Sequence, residues 1–387
     1  MKILIAGDFC PQNRVCDYLS RNDFQYVLGG VKNIMNSVDY SIANLECPVT
    51  YKEYKPLAKS GPNLQCSENA VAALKWAGFD CVSMANNHIK DYGEEGIRDT
   101  LKACEKHNID VVGAGIIIDE ASKTLTVRIN EKKLSIINCC EHEFSIASTT
   151  EAGCNPLNPI KQYYAIRKAS QESDFVLVIV HGGNEHCPYP SQRMQETYRF
   201  LIDSGAHAVI NHHQHCVNGF EVYNGAPIFY GLGNFCFDKN FGNNDGWYKG
   251  YFVVLEFEQD SECSFKIVPY CQCKEEPVVR ILEGEEKEDF SLYIDNLNKI
   301  IQDPCLLQKK WEDWVKQSGN WILPAFEPYQ DRITKALYNR KILPSTLKGE
   351  RRYLFENVIN CESHIDRLRY LFSQIENDIG FVSAKRI

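Results

Sequence analysis

Apolar runs of strand length alternate with segments of helical period through the first two thirds of this chain. A chain patterned that way has to fold as an α/β protein, with helices covering the faces of a sheet. Strands are predicted at about 2–6, 39–45, 80–85, 110–113, 133–139, 174–180 and 207–211. Between them, Ala70, Leu74 and Ala77 keep helical spacing up to Gly78, and Ile97, Leu101 and Cys104 do so ahead of the next strand. From Phe220 the pattern changes. Two apolar runs flank Asn224-Gly225, a hairpin signal, and 250–257 and 264–270 read as further antiparallel strands. The sheet is therefore mixed, or there are two. Beyond about residue 283 a helical, Leu- and aromatic-rich region is broken at Pro304, Pro324, Pro328 and Pro344. This divides the chain into a domain over 1–282 and a helical appendage over 283–387. In the appendage, Leu354, Val358, Cys361, Ile365, Leu368 and Leu371 form a stripe suited to packing.

Metal-competent residues collect where the strands stop. The first strand runs into Gly7-Asp8, the second into Asn44-Leu45-Glu46 and the third into Asn86-Asn87-His88. The 174–180 strand ends in His181-Gly182-Gly183, and the 207–211 strand in His212-His213-Gln214-His215. C-terminal strand ends form one rim of an α/β sheet, so these residues converge although they lie far apart in sequence. Carboxylates, amides and imidazoles together make a mixed oxygen and nitrogen ligand set, suited to Mn, Fe, Zn or Mg and large enough for two ions.

Plainer readings compete at several positions. Asp8 alone satisfies a turn, and Glu46 alone is a loop carboxylate. Asp91-Tyr92-Gly93-Glu94 matches a capping box opening a helix over about 93–107, so Asp91 is expected first as a cap, with support of His88 as a second use. His107, His142, His207 and His364 stand alone and read as surface or core histidines. Glu185 and His186 lie near His181, placed to touch a substrate. Three imidazoles in four residues at 212–215 resist a plain reading and point to a metal or an anion.

Composition excludes some partners. With 42 basic against 51 acidic residues the net charge is -9, which disfavours nucleic acid and anionic membrane surfaces as general partners. Lys348, Arg351 and Arg352 form a late basic patch, read as a solvated helix face. The 17 cysteines show no CxxC pair and no regular framework, so they are read as reduced thiols. The chain opens on Lys2-Ile3-Leu4-Ile5-Ala6 without a cleavable leader and has no apolar stretch of about 18 residues. A cytoplasmic location without a membrane anchor is expected.

Taken in order, these motifs resemble the capsule-biosynthesis CapA family, itself similar to the calcineurin-like metallophosphoesterases. The residues that carry the resemblance are Gly7-Asp8, Asn44-Leu45-Glu46, Asn86-Asn87-His88 with Asp91 and Gly93, His181-Gly182-Gly183 with Glu185, 212–215, and Gly231-Leu232-Gly233-Asn234-Phe235 with Phe237-Asp238. They span roughly residues 1–270. The resemblance implies an αββα sandwich of two mixed sheets and two divalent metal ions. It implies Asp8 and His215 on the first ion, Glu46 bridging, and Asn87, His181 and His213 completing the second. His88 would be the general acid, with Asp91 beside it. Asn44, Glu185, His212 and Asn234 would touch substrate or hold the ligands from behind. The chain departs from the calcineurin-like pattern at Cys10, where a histidine is usual, and at Asn44, and from the CapA pattern at Asn211 and Gln214.

The function expected from the resemblance is metal-dependent hydrolysis of a phosphoester or a γ-glutamyl or other amide bond, in capsule or cell-envelope polymer metabolism. The substrate would be an anionic small molecule or polymer. The alternative is a non-catalytic component assisting synthesis of poly-γ-glutamate or polysaccharide alongside polymer-synthesis partner proteins. A nucleic-acid phosphodiesterase suits the metal chemistry but not the charge.

Overall fold

The structure, a computed structural model, describes residues 1–240, 242, 245–257, 263–318 and 326–360. It forms two compact units, Met1–Trp311 and Glu312–Ile387. In chain order the strands are Lys2–Phe9 (β1), Tyr40–Leu45 (β2), Cys81–Ser83 (β3), Asp110–Val112 (β4), Ala114–Gly115 (β5), Leu125–Ile129 (β6), Lys132–Cys140 (β7) and Gly153–Cys154 (β8). Phe175–His181 (β9), Ala208–His212 (β10), Phe220–Tyr223 (β11), Ala226–Phe229 (β12), Asn234–Cys236 (β13), Lys249–Phe257 (β14), Cys263–Gln272 (β15) and Val279–Ile281 (β16) follow.

Among the described residues these build two large mixed sheets. One runs β16-β15-β14-β1-β2-β3-β4 with β13 also paired to β1, the other β11-β12-β10-β9-β7-β6. β1 to β4 are parallel neighbours, and β7, β9, β10 and β12 are likewise parallel. The hairpin at Asn224-Gly225 is present as antiparallel β11 and β12, and the two late strands pair antiparallel as β14 and β15. The arrangement is the two-sheet sandwich that the resemblance implies.

β9 explains why the central strands read as unbroken apolar runs. Phe175, Leu177 and Ile179 join the core shared with the other sheet, whereas Val176, Val178 and Val180 pack in a second core. That second core also holds Ile166, Met194, Tyr198 and Leu201, from helices Pro159–Glu172 and Gln192–Asp203. Side chains alternate faces along a strand, so a strand covered on both faces must be apolar at every position. The helices start where capping chemistry allows. Asn158 accepts from the Ile160 and Lys161 amides ahead of Pro159, and Ser191 accepts from the Met194 amide.

Helix Gly284–Gln302 lies beyond the change of pattern at 283, yet it buries Phe290, Ile294 and Leu297 in the core of the first unit. In the second unit Asp331 caps helix Arg332–Asn339, and buried Glu327 accepts from the Thr346 amide at 2.9 Å. Lys348 and Arg352 are exposed, and Arg351 donates to Thr346 Oγ1 and to the Phe326 carbonyl. Of the predicted apolar stripe, Leu354 is exposed. The Val358 side chain and residues Cys361, Ile365, Leu368 and Leu371 lie outside the described residues, as does His364.

Every described cysteine is a free thiol. No described helix is long and apolar enough to cross a membrane.

Candidate metal centre

Register brings the chemistry together. Asp8 on β1 stands level with Asn44 on β2 and with Asn234 on β13, and His181 on β9 stands level with His212 on β10. The C-terminal ends of both sheets thus deliver their polar residues to one place. Gly7 shows how tightly: a Cβ there would lie 1.9 Å from the Gly233 carbonyl oxygen, so only glycine lets β1 run against the 231–233 turn and present Asp8.

Among the described residues, three groups have ligand atoms within 4.8 Å of one another: Asp8, Glu46 and His215; Glu46, His181 and His213; and Glu185, His213 and His215. Glu46 Oε1 is 3.5 Å from His181 Nε2 and 3.4 Å from His215 Nε2. Asn87 Oδ1 lies 3.0 Å from His181 Nε2, which is itself 3.1 Å from His213 Nδ1. Around this set, Asn44 Nδ2 donates to Asp8 Oδ1 at 2.8 Å. Asn234 Oδ1 accepts from His215 Nδ1 at 2.9 Å, which leaves Nε2 of that ring as the lone-pair nitrogen facing Glu46. His212 Nδ1 is 3.5 Å from Asp8 Oδ1. His213 and His215 hold left-handed backbone, with φ of 98° and 54°. Non-glycine residues adopt that conformation at a cost of about 1–3 kcal/mol, and such positions cluster at functional sites.

The electrostatics suit a cation. Glu46 is fully buried, and neither of its carboxylate oxygens has a hydrogen-bond partner among the described residues; the same holds for both ring nitrogens of His212. Burial, then Asp8, push the Glu46 carboxyl well above the usual range. Burial works against charge on Asp8 too, but His215, His212 and His181 hold it well below its ordinary value. Burial, with His213 beside it, drives His181 far down, so it stays a neutral lone-pair donor. Burial opposes charge on His215 as well, but its acidic neighbours raise its pKa, so in the absence of an ion it is the ring that a proton occupies. An orphaned buried carboxyl between these two rings is what a divalent ion satisfies, and the mixed oxygen and nitrogen donors fit Mn, Fe or Zn.

His88 and Asp91 stand apart from the three groups. The capping-box reading of Asp91 is corrected here: helix Gly93–Lys106 follows Tyr92 with no side-chain cap. Asp91 faces the other way. Its Oδ2 is 2.7 Å from His88 Nδ1 and accepts from the Leu64 amide at 2.7 Å, and Oδ1 pairs with Lys59. The Leu57 amide donates to the Asp91 carbonyl at 2.8 Å, so one residue ties the 57–64 loop to His88. Lys59, whose side chain is 2% exposed, lies 3.2 Å from His88 Nδ1 and is a site residue the sequence did not mark. Glu143 is another, 3.6 Å from His213 Nε2. Cys10 is buried and accepts from Gln12 Nε2, outside all three groups. A cavity of about 260 Å³ opens beside the centre, with His88, Glu185, His186, His215, Phe237 and Trp247 among its walls.

Comparison with known proteins agrees with the motifs. The chain is 35% identical over 253 residues to PGA biosynthesis protein CapA of Bacillus subtilis (strain 168), covering 64% of each protein. It is 31% identical over 247 residues to capsule biosynthesis protein CapA of Bacillus anthracis, covering 62% of this chain and 60% of that one. It thus spans less than two thirds of the length of these relatives. Among solved structures, a hypothetical protein from Thermus thermophilus aligns at 16% identity and a TM-score of 0.45, over 73% of this chain and 100% of that one. A 5'-nucleotidase precursor from the same organism aligns at 10% identity and a TM-score of 0.43, over 77% and 59%. The family model described as bacterial capsule synthesis protein PGA_cap matches residues 2–239, and the chain belongs to that family.

Proposed function

We propose that this chain is a metal-dependent hydrolase of capsule or cell-envelope polymer metabolism, acting on a phosphoester or on a γ-glutamyl or other amide bond. The observation that carries the reading is Glu46, buried with both oxygens unpartnered between His181 and His215. Its place in capsule or PGA biosynthesis is carried over from the printed names of the Bacillus relatives.

Asp8, Glu46, Asn87, His181, His213 and His215 would hold two divalent cations, which when bound supply Lewis-acid polarisation and water activation. The protein's own part is to orient and to move a proton. Asp91 orients the His88 ring through Nδ1, so Nε2 is the atom that would face the departing group; only the charged ring has a proton to give there, a state that burial disfavours and Asp91 supports. Lys59 pairs with Asp91 Oδ1 and lies 3.2 Å from His88 Nδ1, so the buried carboxylate has a counter-charge within the same cluster. Asn234 sets the tautomer of His215.

A second reading, a site that binds an anionic intermediate without turnover and assists a polymer synthetase, is favoured by Asn44. Its amide occupies Asp8 Oδ1, which leaves Oδ2 as the oxygen of Asp8 nearer His215 and limits what the carboxylate can offer a first ion. Elemental analysis of protein purified without chelator, followed by assays on a phosphodiester and a γ-glutamyl amide with Mn, Zn and Mg, separates the two. About two ions per chain with turnover supports the hydrolase. Ions bound without turnover on either bond class supports the assisting role, and no ion after loading refutes the metal centre.

A further inference from the structure

We propose that Lys239 and Trp247 form an oxyanion-binding subsite beside the metal centre, holding a carboxylate or phosphate that the substrate carries away from the bond under attack. This rests on the reading of the cavity as the substrate site. It adds a requirement: the substrate bears a second anionic group, and Lys239 is the residue that selects for it.

The cavity of about 260 Å³ has His88 and His215 in its lining, and one wall of it is aromatic. The Trp247 ring centroid lies 5.3 Å from that of His215, 5.1 Å from Phe237 and 6.0 Å from His186. Lys239 Nζ stands 5.6 Å from the same indole centroid, close enough for the ring face to steady an ammonium. Trp247 thus neighbours both groups, and the ammonium lies one ring away from the metal ligand His215. Among the described residues, Lys239 is the only lysine or arginine lining the cavity.

The two carboxylates of the same lining do not cancel that charge. Asp238 is engaged by Arg14, whose Nη2 and Nε donate to it at 2.7 and 3.1 Å and whose backbone amide donates at 2.8 Å. Glu185 stands against the imidazoles instead, its ligand oxygen within 4.8 Å of ring nitrogens of His213 and His215.

The subsite is also held in shape before a ligand arrives, which lowers the entropy that binding must overcome. The Asp238 carbonyl, next to Lys239 in the chain, accepts from Asn13 Nδ2 at 2.6 Å, so with the Arg14 bonds the backbone under Lys239 is fixed. Trp247 Nε1 donates to the Phe237 carbonyl at 3.0 Å. Asn13 and His186, both in the lining, hold left-handed backbone at φ of 47° and 63°, and the His186 amide donates to the Gln214 carbonyl at 2.7 Å. Such positions persist where the surroundings over-determine them. A lysine binds oxyanions as a point charge, so carboxylate and phosphate share this chemistry. An anion on the unit next to the reacting bond, as each repeat of an anionic polymer supplies, suits its place one ring from His215.

The test is calorimetric binding to the full chain in Mn²⁺ and to Lys239→Ala and Lys239→Arg, with two pairs of probes that contain no cleavable bond. One pair is heptanedioate against heptanoate. The other is a pentane chain with a phosphonate at each end against pentylphosphonate. Lys239→Ala is expected to weaken the two-anion member of a pair at least about tenfold and to leave its one-anion partner unchanged. Which pair responds names the anion, and Lys239→Arg is expected to bind as the unaltered chain does. Because Lys239 is exposed, neither variant disturbs the core. The proposal is overturned if Lys239→Ala binds every probe as the unaltered chain does, if it weakens both members of a pair equally, or if the unaltered chain binds no probe. Turnover is read separately on the bonds named above. Cleavage without dependence of binding on Lys239 keeps the hydrolase and refutes the subsite; the expected dependence without cleavage of either bond class keeps the subsite and refutes the hydrolase.

Discussion

Glu46→Gln should stabilise the metal-free protein while abolishing most of its stabilisation by metal. A buried polar group without a partner costs about 1–3 kcal/mol, and both Glu46 oxygens are in that state. The amide keeps the shape, removes the chargeable group and can donate to His181 or His215 Nε2, 3.5 and 3.4 Å away in the parent. Recovering about 2 kcal/mol is therefore a fair expectation. For the unit Met1–Trp311 the unfolding entropy is roughly 0.65 kcal/mol/K, so each kcal/mol moves the melting temperature by about 1.5 °C. Chelated Glu46→Gln should melt about 3 °C above the chelated parent. The gap depends on pH with a definite sign. A carboxyl whose folded pKa is raised carries no penalty below its unfolded value of about 4.3, and the penalty grows as pH rises above it. The gain should be larger at pH 8 than at pH 5. Loading with Mn²⁺ at about 100 times its dissociation constant should raise the parent by about 2.7 kcal/mol, near 4 °C, and leave the variant almost unmoved. Differential scanning calorimetry with and without chelator reads all four states. A variant that melts below the parent in chelator, or that keeps the full metal shift, would refute the reasoning.

Other substitutions test separate parts of the structure. Gly7→Ala forces a Cβ to 1.9 Å from the Gly233 carbonyl and should cost about 3 kcal/mol or more, seen as a drop in the denaturation midpoint together with weaker metal binding, since Asp8 moves with it. Arg199→Leu leaves Glu221, buried and otherwise held by two guanidinium bonds of 2.9 and 2.6 Å, with only the Tyr230 hydroxyl; a loss of about 3–5 kcal/mol is expected in urea denaturation, with metal content per folded chain unchanged. His88→Ala should retain metal by elemental analysis and lose a factor of about 10²–10⁴ in turnover on whichever bond class the chain cleaves; a variant with intact turnover removes His88 from the mechanism.

Much of the fold was legible because the central strands are covered on both faces. β9 and β10 carry continuous apolar runs for that reason, and the runs stop where the polar rim begins. β6 escaped notice because its burial alternates, with Thr126 and Arg128 exposed, and its partner β7 carries the stronger signal. β13 is three residues long and pairs with β1 through a register shift, too short for periodicity to mark. The change of pattern at 283 is real in composition. Helix Gly284–Gln302 shows why composition alone does not locate a boundary: an amphipathic helix packs on whichever core its apolar face reaches, and here Phe290, Ile294 and Leu297 reach the first unit.

The residues around the centre were found because strand ends are fixed by topology, whereas the loop residues that serve them were not. Lys59 lies in a segment without helix or strand, and nothing in its neighbours' spacing marks a lysine that will be buried. Asp91 carried a misleading local signal. Three residues before Glu94 and just ahead of a helix, it satisfies the spacing of a capping box, yet a cap must turn toward the helix it starts. What turns its side chain away is long-range: the Leu64 amide and the Lys59 ammonium arrive from a loop some thirty residues earlier, and His88 stands one turn back. Truncating the Asp91 side chain would leave a buried ammonium without its carboxylate and a Leu64 amide without its acceptor, a far larger penalty than the loss of about 1 kcal/mol a cap provides. The helix can begin uncapped at Tyr92 because that side-chain contribution is small beside the packing of Ile97, Ala103 and Cys104, which holds the helix whether or not its first amides are satisfied.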